Sequence, residues 1–262
     1  MNNLPAITGW NWLKEGTALF RKQPAALTTL LFANILINLL IGVVPFFGPL
    51  LAMVLIPSFS LAFMKACLMI ENGERVTPAV VMTGFRKPLL VELCKIGLVY
   101  LGVSVVLTVL ARLVVDFEVI QQVLQPADPK NVQSVPSWEF VKMFALSALN
   151  ASVLIALSFA PPLVYWQKMA PFKAIFYSFF AVLRSARVFL VLLTSWLGIL
   201  LLGLFVIALI MGISTFARVF MMWLGFLFIL LLQCAIYAGY RQIFGKPVDV
   251  EKTNTGRVDL SK

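Results

Sequence analysis

The chain has 262 residues, of which 61% are hydrophobic and 12% charged, with a mean hydropathy of +0.97. A soluble domain carries roughly a quarter charged residues, so this composition excludes one and points to a chain dissolved in lipid. The formal charge of +10 would suit a nucleic-acid binder, but the cations stand in short segments between apolar runs, so no nucleic-acid partner is expected and they read as topology signals and contacts for anionic lipid.

Residues 8–22 come first as an amphipathic surface helix, with Trp10, Leu13, Thr17 and Phe20 at helical spacing and Asn11, Lys14, Glu15 and Lys22 elsewhere around it. Pro24 then bends the chain into the first of six apolar runs, near 24–44, 49–70, 90–112, 140–163, 188–212 and 219–240. Each is about 20 residues or slightly longer, enough at ~1.5 Å per residue to cross a ~30 Å hydrocarbon core. All are expected to be helices, because an open strand leaves backbone groups unpaired in lipid. The first run follows Lys14, Glu15, Arg21 and Lys22 with no small-residue cleavage site after it, so it is expected to stay as a signal anchor.

The fold class is therefore all-α integral membrane, with three helical hairpins at 24–70, 90–163 and 188–240 in one domain over 1–244. The first hairpin turns through Pro45-Phe46-Phe47-Gly48-Pro49, and the central one carries an outer loop at 113–139 whose first part, Val114 to Leu124, is expected to form a short helix before Trp138 anchors the return. Pro57 is expected to kink the second span, and Pro161-Pro162 to distort the inner end of the fourth. A second surface helix is expected at 171–187, with the stripe Phe172, Ile175, Phe176, Phe179 and Leu183; the alternative is that this segment simply extends the fifth span. Residues 245–262 read as a flexible cytoplasmic tail. Each hairpin follows a basic mark: Arg21-Lys22 before Pro24, Arg86-Lys87 before Pro88, and Arg184 with Arg187. Ala18-Leu19-Phe20-Arg21 is similar to Ala181-Val182-Leu183-Arg184, which points to a parallel duplication about an axis along the membrane normal.

Of the 21 Lys and Arg residues, only Arg112, Lys130, Lys142 and Arg218 fall on one side of these spans. The positive-inside rule then puts both termini in the cytoplasm. Cys67, Cys94 and Cys234 all lie near cytoplasmic span ends, scattered and without a C-x-x-C spacing, and read as small apolar packing groups.

Chemistry is sparse. The chain has no histidine, which removes the common general base and the usual zinc and haem ligand. No acid stands mid-span, and neither a phosphate-binding loop nor a dinucleotide fingerprint occurs. Glu92 lies at a span end beside Lys95, and Asp116, Glu118 and Asp128 belong to a proline-rich outer loop. No catalytic residue, metal ligand or cofactor is expected, and the chain is read as not an enzyme. Two sets of candidate site residues remain. Arg21, Lys22, Arg86, Lys87, Arg184 and Arg187 are candidate contacts for anionic lipid. Asn34, Asn38, Asn150 and Gln233 form a candidate intramembrane polar cluster, which either lines a groove for a headgroup or small solute or joins helices by hydrogen bonds.

Gly9-Trp10-Asn11-Trp12-Leu13-Lys14-Glu15-Gly16, leading into Leu19-Phe20-Arg21-Lys22-Gln23-Pro24, resembles a group of bacterial six-helix inner-membrane proteins. Asn72-Gly73-Glu74-Arg75-Val76 and Gly84-Phe85-Arg86 extend the match. That group is distantly similar to the membrane domain of some glycerophosphodiester phosphodiesterases. The resemblance implies the fold and the location and brings no functional residues. These 262 residues are expected to hold no hydrolase domain and have no metal-binding histidine, so the enzymatic activity is not implied. The expected function is a non-enzymatic protein that binds membrane lipids, especially anionic ones, or a membrane-protein partner, in envelope maintenance or as an accessory subunit. A small-solute or lipid transporter or channel is the alternative, and an immunity-type membrane protein a fainter one.

Overall fold

The computed structural model describes residues 4–45, 47–116, 137–212 and 214–248. Among them the regular structure is helical. The surface helix α1 spans Thr8–Lys22, and the first hairpin follows as α2 (Pro24–Gly42) and α3 (Phe47–Glu71). A 3-10 segment, Pro78–Phe85, leads to α4 (Leu89–Val114). The return limb is α5 (Ser137–Leu157) and α6 (Ala160–Gln167), then come α7 (Pro171–Arg184), α8 (Ala186–Met211) and α9 (Thr215–Phe244). Six segments are long and apolar enough to span a membrane: α2, α3, α4, the α5–α6 limb, α8 and α9. Residues 117–136, which hold most of the expected short helix at 114–124 and of the 113–139 loop, lie outside the described residues, as does the tail from 249 onward.

Local chemistry sets the boundaries. Pro24, Pro78 and Pro171 open their elements at first-turn positions, where the missing N–H has no intrahelical partner to lose. Ser214 caps α9 by accepting from the Ala217 N–H at 3.1 Å. Pro57 lies inside α3, which continues unbroken past it. The fourth span does break, at Ser158-Phe159, because Pro161 and Pro162 withdraw two donors from the next turn.

The break is closed from outside. The Ser178 hydroxyl of α7 donates to the Ala156 carbonyl at 2.6 Å and accepts from the Phe159 N–H at 3.2 Å, taking the place of a missing ladder step. Segment 171–184 is thus a separate helix and not an extension of the fifth span: α7 ends at Arg184, and Ser185 intervenes before α8.

Both surface helices dock through small residues, and most of each expected apolar stripe lies off the docking face. In α1 the buried face is Thr8, Gly9, Trp12, Leu13, Gly16 and Leu19, whereas Trp10, Thr17 and Phe20 are only half-buried. A Cβ on Gly9 would stand 2.2 Å from the Val188 carbonyl oxygen, and one on Gly16 2.6 Å from the Ala235 nitrogen. Backbone contact this close is the usual way helices associate where lipid offers no hydrophobic drive. In α7 the buried stripe is Ala174, Ser178 and Ala181 with Val182, and the aromatic stripe points outward: Phe172, Phe176, Phe179 and Leu183 are exposed.

The docking order is cyclic. The 3-10 segment packs chiefly on α3 of the first hairpin and α7 chiefly on the α5–α6 limb of the second, while α1 packs on α8 and α9 of the third. Each surface segment thus sits on the hairpin preceding it, and α1 closes the ring by taking the last.

Candidate functional site

The end of the bundle where α2, α4 and α8 begin and α3, α6 and α9 finish gathers the polar side chains. Glu71, the last residue of α3, accepts from the Tyr237 hydroxyl at 2.6 Å and from Arg241 at 2.7 Å, both on α9. The second arm of Arg241 reaches Glu15 of α1 at 2.5 Å. Trp12 donates its indole N–H to the side-chain carbonyl of Gln242. Gln23 ties the start of α2 to the chain leaving α3, donating to the Glu74 carbonyl at 2.6 Å and accepting from the Val76 N–H at 3.1 Å. An aromatic layer lies beneath: Phe159 meets Phe189 at 5.8 Å and Tyr240 at 5.9 Å, and Trp12 meets Phe189 edge-on at 5.4 Å.

Arg21, Lys22, Arg86, Lys87, Arg184 and Arg187 are all exposed at this end, two at each junction between a surface segment and a hairpin. Arg184 has the most developed surroundings. It stands at an open groove of about 430 Å³ between α7 and the end of α9, walled by Phe176, Tyr177, Phe180, Leu183 and Phe244. Lys173, one turn before Tyr177, places its ammonium 5.8 Å from that ring. The groove offers apolar wall along its length and a guanidinium at its rim.

The amide set does not converge in one recess. Asn38 donates to the Asn34 side-chain oxygen at 2.7 Å and to its backbone carbonyl at 2.9 Å, so these two form a pair within α2. Asn150 is exposed and lines a small cavity with residues of α3, α4 and α5, while Gln233 is half-buried on α9; neither Asn34, Asn38 nor Gln233 lines the Asn150 cavity. The thiols are less scattered than expected: Cys67 and Cys234 are buried with sulfurs 3.6 Å apart, and Cys94 is half-buried. Among the described residues no group of three His, Cys, Asp or Glu is placed to hold a metal ion.

A Burkholderia thailandensis protein described as a probable inner membrane protein is 31% identical to this chain over 251 residues, a match that covers 92% of each. The chain belongs to that family of inner-membrane proteins. No family model and no solved structure matches it. The relative's description names no phosphodiesterase, so the wider likeness drawn from the opening motifs gains nothing from the match.

Membership of an inner-membrane family gives the exposed apolar surface its meaning. Val105, Val106 and Val109 of α4, Leu201 and Leu202 of α8, and Phe220 and Met222 of α9 are exposed large apolar residues that water would penalise and acyl chains accept. The outward aromatic face of α7 lies at the basic end with Lys173, Arg184 and Arg187, the combination found on helices held at a membrane interface. Sequence reasoning missed Ser178, Glu15, Glu71 and Arg241. Glu71 and Arg241 each stand immediately after one of two parallel apolar runs, whereas Glu15 and Ser178 carry no such signal.

Proposed function

We propose that this inner-membrane protein binds anionic phospholipid at its basic end, that this end faces the cytoplasm, and that the protein acts in envelope maintenance or as an accessory subunit without catalysing a reaction itself. The observation that carries the reading is the groove between α7 and Phe244, where aromatic walls for an acyl chain end at Arg184. A guanidinium matches a phosphodiester bidentately, and each cation near an anionic surface contributes ~1 kcal/mol. Arg21, Lys22, Arg86, Lys87 and Arg187 extend the same electrostatic surface around the ring of hairpins.

The test is native mass spectrometry of the protein taken from nanodiscs of mixed phosphatidylglycerol and phosphatidylethanolamine. Arg184→Gln with Lys173→Gln should lower retained phosphatidylglycerol while leaving phosphatidylethanolamine unchanged. Equal retention of both lipids by wild type and variant would reject the site.

A further inference from the structure

The flank formed by α3, α4 and α5 holds a recess of about 120 Å³ away from the basic end. Its position follows from the packing: Gly97 of α4 lies on the backbone of Val54, and the recess walls begin at Met53 and Ile56 of α3, two to three turns inside that helix. Tyr100 and Ser104, four apart on one face of α4, line it opposite Asn150 of α5. The Tyr100 side chain is 7% exposed, whereas Asn150 opens to the surrounding lipid.

These three polar groups differ from four other hydroxyls of the spans. Thr28, Thr108, Ser152 and Thr194 each return their proton to a carbonyl of their own helix at 2.7–2.8 Å. That is the ordinary way for a hydroxyl to survive in hydrocarbon. The side chains of Tyr100, Ser104 and Asn150 make no hydrogen bond among the described residues and share one cavity instead. Donors and acceptors held so deep in a bilayer need partners.

We propose that this recess binds the hydroxyl head of an uncharged long-chain amphiphile, of the fatty-alcohol or diacylglycerol class. No charged residue lines the recess, so a phosphate would lose its hydration there without compensation. Tyrosine and serine hydroxyls and a carboxamide both donate and accept, which suits a neutral hydroxyl that must do the same. The remaining walls, from Met53, Val153 and Leu154, take the first methylenes of the chain, and the open side at Asn150 lets the rest run along α5 in lipid. At about 120 Å³ and open on one side, the recess has room for a hydroxyl head and the first carbons of a chain. This site lies apart from the groove at Arg184 and goes beyond the anionic-lipid reading.

The test uses the full chain in nanodiscs with a diazirine-bearing octadecanol, irradiated and mapped by peptide mass spectrometry. Adducts should concentrate on the peptides holding Met53, Val103 and Val153, and excess octadecanol should compete while phosphatidylglycerol does not. Tyr100→Phe with Asn150→Leu should reduce these adducts about tenfold, the effect of losing one or two hydrogen bonds. Retained phosphatidylglycerol should stay as in wild type, which separates failure here from failure of the basic-end site. The competition experiment needs no variant, and Ser104→Leu, which fills the recess, gives a second check if the double variant is unstable. Labelling spread evenly over the lipid-facing helices, or undiminished in both variants, would overturn the proposal. So would a wild-type dimer that Asn150→Leu dissociates, because the recess would then be a seam between two copies.

Discussion

The Ser178 hydroxyl stands 2.6 Å from the Ala156 carbonyl, twenty-two residues away on another helix, and it also accepts the Phe159 N–H. One buried side chain thereby gives partners to two backbone groups at the break. The same hydrogen bonds hold α7 against the broken span, so the position of the groove at Arg184 depends on them.

Ser178→Ala should cost about 1–3 kcal/mol, because both backbone groups of the break lose their partner inside a protected site. Thermal unfolding in detergent, followed by fluorescence-detected size exclusion, should show a lower Tm. An unchanged Tm would mean that the break needs no outside hydroxyl.

Gly16→Ala should lower stability by about 1–3 kcal/mol, since the new Cβ meets backbone atoms of Ala235 that cannot move aside. Gly102→Ala, within α4 and with nothing within 4 Å of its Cβ position, should instead be neutral or stabilising by up to ~1 kcal/mol through helix propensity. The opposite signs make the pair informative in one melting experiment.

Arg241 bridges two carboxylates in different surroundings. Glu71 is 15% exposed and is bonded also by Tyr237, whereas Glu15 is 46% exposed. Double-mutant cycles with Arg241→Gln should give a coupling of about 1–3 kcal/mol to Glu71 and at most ~1 kcal/mol to Glu15. Raising ionic strength should erase the Glu15 coupling first. Equal couplings would refute the difference in screening.

A reporter active only outside the cytoplasm should be silent when fused after Lys262 and active when inserted between α4 and α5. The expectation rests on the crowding of Lys and Arg at one end of the bundle. Activity at the C-terminus would reverse the orientation and move the groove at Arg184 to the outer face.

Length and hydropathy determined the class, the six spans and most of their boundaries, because a bilayer admits few solutions for an apolar run of about 20 residues. Proline and the basic marks determined where surface segments give way to spans: Thr8–Lys22 and Pro24 fall where the sequence put them. The tertiary structure alone decided which face of each surface helix docks. The stripe through Trp10 and Phe20 does not mark the docking face of α1, because helices in and beside a membrane pack through small residues such as Gly9 and Gly16, which carry almost no hydrophobic signal. Partners far apart in the chain were equally hidden: nothing local to Glu71 indicates Arg241, and nothing local to Ser178 indicates Ala156. The amides show the same division. Their depth was legible from span position, but their separation into an Asn34–Asn38 pair, a cavity-lining Asn150 and a half-buried Gln233 follows from how the hairpins turn about their own axes, which periodicity does not fix.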